Sequence, residues 1–187
     1  MTLFEQSPEK YIKQYIYNQK PPATLNMRYG SLMADGLENN KFTGDPILDL
    51  MITRLPKFEL MDVAFEANLK DGHKTIKILA KPDTAKADYT AFKEYKTSLK
   101  KWTQKMADDS GQITFYATAV WLLKGFIPEN IELVNVRTTY QSDGSLTPTG
   151  EMFRYLTTRN MVDIIKMTSR MRKSWIGIKI LCERELL

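Results

Sequence analysis

Residues 82–98 read Pro82-Asp83-Thr84-Ala85-Lys86-Ala87-Asp88-Tyr89-Thr90-Ala91-Phe92-Lys93-Glu94-Tyr95-Lys96-Thr97-Ser98. The run just upstream, Lys74 to Lys81, alternates Ile76, Ile78 and Ala80 with Lys77, Leu79 and Lys81. That pattern predicts a strand with one mostly apolar face, and Asp83 lies just beyond its end. Tyr89 to Thr97 reads as the next strand, with Thr84 to Asp88 as the turn between the two. Side chains alternate across a strand, so Glu94 and Lys96 project from one face and Tyr95 from the other. Two carboxylates and a lysine are thereby expected at the ends of neighbouring strands.

The flanking chain sets this pair of strands in an α/β context. Ser7-Pro8-Glu9 supplies N-cap, N1 and N2 of a first helix running to about Asn18, with Tyr11 and Tyr15 as a packing stripe and Pro21-Pro22 as its stop. A second helix is expected from Leu25 to Glu38, closed by Asn39-Asn40. Gly30 and Gly36 each lower its propensity by about 1 kcal/mol and mark close approach of another backbone. Asp45-Pro46 opens a third, short helix ending before Pro56. Phe58 to Leu69 reads as a strand, joined to Lys74–Lys81 through Asp71-Gly72. Ser98 to Asp108 reads as a lysine-rich loop or an irregular helix start. Asp109 to Leu123 follows as a helix stopped by Gly125 and Pro128. Ile131–Thr138 and the shorter Met152–Thr157 read as strands around the turn Ser142-Asp143-Gly144. Arg159–Glu185 is mostly helical, with Met161, Ile164, Ile165, Trp175 and Ile178 on one side and Gly177 as a point of kinking or splitting. This order predicts one α/β domain over 1–187 with a mixed sheet.

Composition narrows the chemistry. The 187 residues suit one domain with a full core, and 43% apolar with 26% charged residues is the ordinary globular range. No apolar run approaches the ~20 residues that span a bilayer, and the N-terminus lacks a signal-peptide layout, so a cytoplasmic protein is expected. Cys182 is the only cysteine and His73 the only histidine. Internal disulfides, four-cysteine metal sites and multi-histidine zinc sites are excluded, and a histidine-based triad is disfavoured. A metal here must be held mainly by oxygen, which points to Mg²⁺ or Mn²⁺. The net charge of +5 is only mildly basic, so clustering of charge says more than its total.

Two carboxylates and a lysine at strand ends suit phosphodiester hydrolysis. That reaction needs an activated water, neutralised charge on the phosphorus oxygens and a stabilised leaving oxygen. A divalent ion held by carboxylates supplies most of this. Asp83 and Glu94 are the candidate metal-binding carboxylates, and the Tyr95 carbonyl is a candidate further ligand. Lys96 is the lysine that would orient or deprotonate the water, or offset phosphate charge. Asp and Glu also occur at strand ends without any such role.

Further along, Gln112-Ile113-Thr114-Phe115-Tyr116 places a glutamine and a tyrosine four apart, on one helix face. Taken with Pro82-Asp83 and Glu94-Tyr95-Lys96-Thr97-Ser98, this resembles the PD-(D/E)XK nuclease superfamily and its RecB-like exonuclease branch, including phage-type members. The likeness covers roughly residues 27–138. It implies a restriction-endonuclease-like core, about 25–138, with a mixed central sheet flanked by helices and a C-terminal helical extension from about 159. It implies Mg²⁺-dependent cleavage of DNA, with Asp83 and Glu94 as metal ligands and Lys96 as the catalytic lysine. Gln112 and Tyr116 would touch the DNA strand or brace the site. Two departures stand out. RecB-like members often carry a metal-binding histidine in G-x-x-x-H on the early helix, whereas Gly30-Ser31-Leu32-Met33 is followed here by Ala34. Glu38 is the expected replacement ligand from that helix, and a solvated carboxylate at a helix end is its plain alternative. The cysteine set of the iron–sulfur subgroup is missing.

Lys93, Lys96, Lys100, Lys101 and Lys105 crowd around Trp102. Lys100 and Lys101 would track phosphates and Trp102 would stack on a base; a solvated face and a core anchor are the plain readings. DNA is the expected partner, with no membrane, and either a second copy of the chain or a recombination partner protein fits the reading. The function expected is a DNA exonuclease in recombination or processing, in the host cytoplasm if phage-encoded. A non-catalytic nucleic-acid-binding or assembly module and a structure- or site-specific endonuclease are the alternatives.

Overall fold

The computed structural model describes residues 3–62 and 64–185. A five-stranded sheet separates two apolar layers, and the order along it is β1-β4-β5-β6-β7. Its strands are β1 (Leu60–Met61), β4 (Thr84–Ala85), β5 (Ala91–Ser98), β6 (Asn130–Tyr140) and β7 (Leu146–Thr157). β5 and β6 run parallel and every other neighbouring pair is antiparallel, so the sheet is mixed. The parallel pair needs a crossover, supplied by α5 (Gln104–Asp108) and α6 (Gly111–Lys124). A separate hairpin, β2 (Phe65–Asp71) with β3 (Lys74–Ala80), packs on α6.

Alternation along β5 decides which layer each side chain joins. Phe92 faces α6, the hairpin and α7 (Met161–Glu185), with Ile113, Leu133 and Ile164 in the same cluster. Tyr95 faces the opposite layer, packing with Val134 and Val136 against α3 (Leu25–Asn39) and α4 (Pro46–Arg54). The mixed sheet between helices is the architecture expected from the sequence. Thr24 caps α3 and Asn40 closes it in the left-handed conformation, φ 51. Asp45 caps α4 by accepting from the N–H groups of Ile47 and Leu48. Gly36 of α3 is a point of close approach: a Cβ there would lie 2.8 Å from both Ile52 Cδ1 and Thr43 Cγ2.

Several boundaries differ from expectation. The first helix is broken: short helical turns Leu3–Gln6 (α1) and Pro8–Tyr11 (α2) precede a π-helical turn at Ile12–Ile16. The Ser7 cap and the Tyr11–Tyr15 contact, with ring centroids 4.9 Å apart, are both present. The single strand expected over Phe58–Leu69 is two strands in different sheets. Asp62 takes φ 50 and donates its N–H to the Asp83 carbonyl at 2.9 Å, which turns the chain out of the main sheet. Asp71 pairs with Lys74, so the hairpin loop is Gly72-His73, one residue on from the expected pair, with Gly72 at φ 58. Thr84-Ala85 is a short strand because it pairs with Lys93 and Phe92. β7 begins six residues earlier than expected because Leu146–Pro148 pairs across a bulge with Thr138–Tyr140. α7 runs unbroken through Gly177. Its buried stripe is Ile164, Met167 and Met171, while Met161 and Ile165 are exposed. Positions 164, 167 and 171 follow helical spacing, and Ile165 lies about 100° around the helix from Ile164. Among the described residues no helix is long and apolar enough to cross a membrane.

Candidate active site

Asp83 leaves the hairpin at the point where β4 begins, opposite the C-terminal half of β5. Its Oδ2 accepts from the backbone N–H of Tyr95 at 2.5 Å. The N–H and C=O of an extended residue leave the strand on the same side, so the Tyr95 carbonyl also faces Asp83. Glu94 and Lys96 share the α6 face of β5, as their spacing requires. Lys96 Nζ donates to Glu94 Oε1 at 2.5 Å and to Gln112 Oε1 at 2.7 Å. Gln112 Nε2 donates in turn to Glu94 Oε1 at 2.7 Å and to the Tyr116 hydroxyl at 2.8 Å. Both ends of the Gln112 amide are thus used, and the Gln112–Tyr116 contact follows from helical spacing, because residues four apart on α6 are neighbours. Tyr116 is held by its ring, edge-on to Phe92 at 5.9 Å.

The electrostatics are those of a pair of crowded carboxylates. Glu94 is 3% exposed. Burial, with the neighbouring Asp83 charge, pushes its carboxyl up to about 7 against the pull of Lys96. Burial likewise raises Asp83, although the Tyr95 N–H and Lys96 oppose it. Glu94 Oε2 is buried with no hydrogen-bond donor. A buried carboxylate oxygen without a donor costs free energy, and the cost is relieved by one proton or one cation shared with Asp83. Among the described residues no three His, Cys, Asp or Glu side chains converge as a metal cage. Two carboxylates and the Tyr95 carbonyl are the oxygens that could meet an ion here, and so few protein ligands would suit one that keeps several waters.

The other sequence-derived candidates have partners of their own. Glu38 is exposed at the end of α3. Its carboxyl is raised by desolvation and by a hydrogen bond with Asp62, which in turn acts on Asp83. Asp62 itself was not singled out by the sequence. It forms an ion pair with Lys81 and its charge raises Asp83. The available signal was an aspartate inside an otherwise strand-like run, a residue that strands disfavour. Lys100 is exposed, and its carbonyl accepts from Ser98 Oγ at 2.6 Å. Lys101 Nζ lies 4.0 Å from the centre of the Phe153 ring on β7. Phe153 pairs with Asn135, which pairs with Lys96, so Lys101 is held two strands, roughly 10 Å, from the catalytic lysine candidate. Trp102 packs on the larger core cluster, and its backbone is tied to Asn135 Oδ1 and the Tyr155 hydroxyl. Lys93 is buried against Glu132 at 2.5 Å.

No protein-family model and no curated protein matches this sequence. Solved structures do. One, from Eubacterium rectale, carries the name "Putative exonuclease"; it is 12% identical, with a TM-score of 0.52 over 91% of this chain and 74% of that one. Another, named SSO0001, is 16% identical with a TM-score of 0.42, over 86% of this chain and 66% of that one. At such identities the likeness to the Eubacterium rectale protein is one of fold.

Proposed function

We propose that this protein is a metal-dependent nuclease of the PD-(D/E)XK type, close to the RecB-like branch, that hydrolyses DNA phosphodiester bonds as an exonuclease in recombination or DNA processing. One observation carries the reading. Glu94 presents a buried oxygen without a donor beside the Asp83 carboxylate, with the Lys96 ammonium bonded to the same glutamate. The exonuclease preference is supported by the Gln112–Tyr116 pattern and by the name of the Eubacterium rectale protein of like fold.

Asp83, Glu94 and the Tyr95 carbonyl would hold Mg²⁺ or Mn²⁺. Such an ion, when bound, would supply charge neutralisation at the phosphoryl oxygens and a water of lowered pKa. Lys96 spends two of its three N–H donors on Glu94 and Gln112. Its third is left to reach a phosphate oxygen or the attacking water, and its side chain is 28% exposed. Gln112 sets the distance between Lys96 and Glu94, and Tyr116 holds Gln112. Both are positioning residues in this arrangement. Glu38 of α3, hydrogen-bonded with Asp62, would be the further carboxylate near the ion.

The test is incubation with linear and covalently closed circular DNA in Mg²⁺ or in EDTA. Loss of linear DNA in Mg²⁺ alone, with circles intact, is expected. Cleavage of closed circles would instead identify an endonuclease. Absence of chelator-sensitive cleavage on every substrate would leave a binding or assembly module.

A further inference from the structure

An apolar cavity of about 640 Å³ opens between the β2–β3 hairpin, α6 and α7. Gln112 and Tyr116 form one end of it, so it is continuous with the Glu94 site. From there its wall runs through Phe115 to Trp175, both partly buried on the larger core cluster. Leu79, 63% exposed, stands at its hairpin side. Three basic residues line it, Lys77, Lys81 and Arg170, and no acidic residue does. Arg170 is engaged by Glu5 and Lys81 by Asp62. Lys77 is exposed, and Lys74 stands over the Trp175 ring at 5.9 Å.

We propose that this groove takes the unpaired bases of a single DNA strand whose next phosphodiester lies at Asp83 and Glu94. The inference rests on the nuclease reading for the position of that phosphodiester. The chemistry of the wall names the occupant. Aromatic faces bind bases of any sequence by stacking, and basic side chains at the rim meet the phosphates. In a duplex the base faces are covered by neighbouring base pairs, so a stacking wall is of use only to an unpaired strand. The substrate class is therefore DNA that is single-stranded next to the cleaved bond.

Fluorescence anisotropy tests this with labelled oligothymidylate and a blunt duplex of equal length, both in EDTA so that no strand is cut. The wild-type protein should bind the single strand about tenfold or more tightly than the duplex. Trp175→Ala should weaken single-strand binding about tenfold, the size of one lost stacking contact. Leu79→Glu, an exposed position that places an acid in the groove, should do the same with an unchanged melting temperature, and it carries the test if Trp175→Ala fails to fold. Equal or tighter binding of duplex, or wild-type affinity in Leu79→Glu, overturns the proposal. Tighter binding of oligouridylate than oligothymidylate overturns the assignment to DNA. Groove-dependent binding without any Mg²⁺-dependent cleavage would sink the nuclease reading alone; cleavage with groove-independent binding would sink the groove alone.

Discussion

Glu94 is destabilising as an ion because it is buried beside Asp83. Its carboxyl is raised from the ordinary value of 4.5 to about 7 by burial and by Asp83. The folded state therefore holds a proton that the unfolded chain has already released. Its contribution to stability is present below about pH 4.5 and is lost as pH rises through about 7. In EDTA, the melting temperature of the wild type should fall across that window. Glu94→Gln should flatten the fall and stabilise the metal-free protein above it, by about 1–3 kcal/mol, while abolishing cleavage and the stabilisation by Mn²⁺. An unchanged pH profile in Glu94→Gln would remove this glutamate as the source. Gln112→Ala makes a different prediction. It takes an acceptor from Lys96 and a donor from Glu94 at an exposed position, so cleavage should drop about 10- to 100-fold with the fold intact. Loss of folding instead would show that Gln112 is structural.

At the scale of elements, the two glycines of α3 separate two reasons for a glycine in a helix. Gly36 faces Ile52 of α4 and Thr43, with no room for a methyl group. Gly36→Ala should push α3 from α4 and cost about 1–3 kcal/mol in urea denaturation. Gly30 has only Thr97 Oγ1 within reach, at 3.5 Å, which is ordinary contact. Gly30→Ala should be neutral or stabilise the helix by up to about 1 kcal/mol. Equal effects of the two substitutions would contradict the close packing of α3 on α4. The sequence marked both glycines alike; only the approach of α4 tells them apart.

At the scale of the whole molecule, the sheet carries a buried ion pair, met by an exposed arginine, on the face away from the candidate site. Lys93 pairs with Glu132 on the neighbouring strand, and Arg154 of β7 completes the cluster at 3.1 Å. Burial works to raise Glu132, but Arg154 and Lys93 outweigh it and hold the carboxyl below its ordinary value. Lys93→Met should cost about 3 kcal/mol in thermal or urea unfolding because it weakens the compensation of a buried charge, and Lys93→Met with Glu132→Leu should recover much of it. Activity per folded molecule should be unchanged in both. A large change in DNA affinity would return Lys93 to the nucleic-acid surface, where its place among the lysines of 93–105 suggested it stood.

The sequence by itself determined what depends on short-range periodicity. Alternation along β5 put Glu94 and Lys96 on one face, helical spacing put Gln112 and Tyr116 on one face of α6, and the scarcity of His and Cys left oxygen as the chemistry by which any metal would be held. Tertiary structure decided what depends on which elements meet. Asp62 joins the neighbourhood of Asp83 because β1 pairs with β4 across more than twenty residues of chain. The bulge in β7, the length of that strand and the burial of Lys93 follow from pairing partners no local pattern contains. The groove beside the site exists because α7 packs across α6 and the hairpin, a contact between segments far apart in the chain. Local rules act within a strand or a turn of helix, whereas burial and charge compensation are properties of the surfaces that folding brings together.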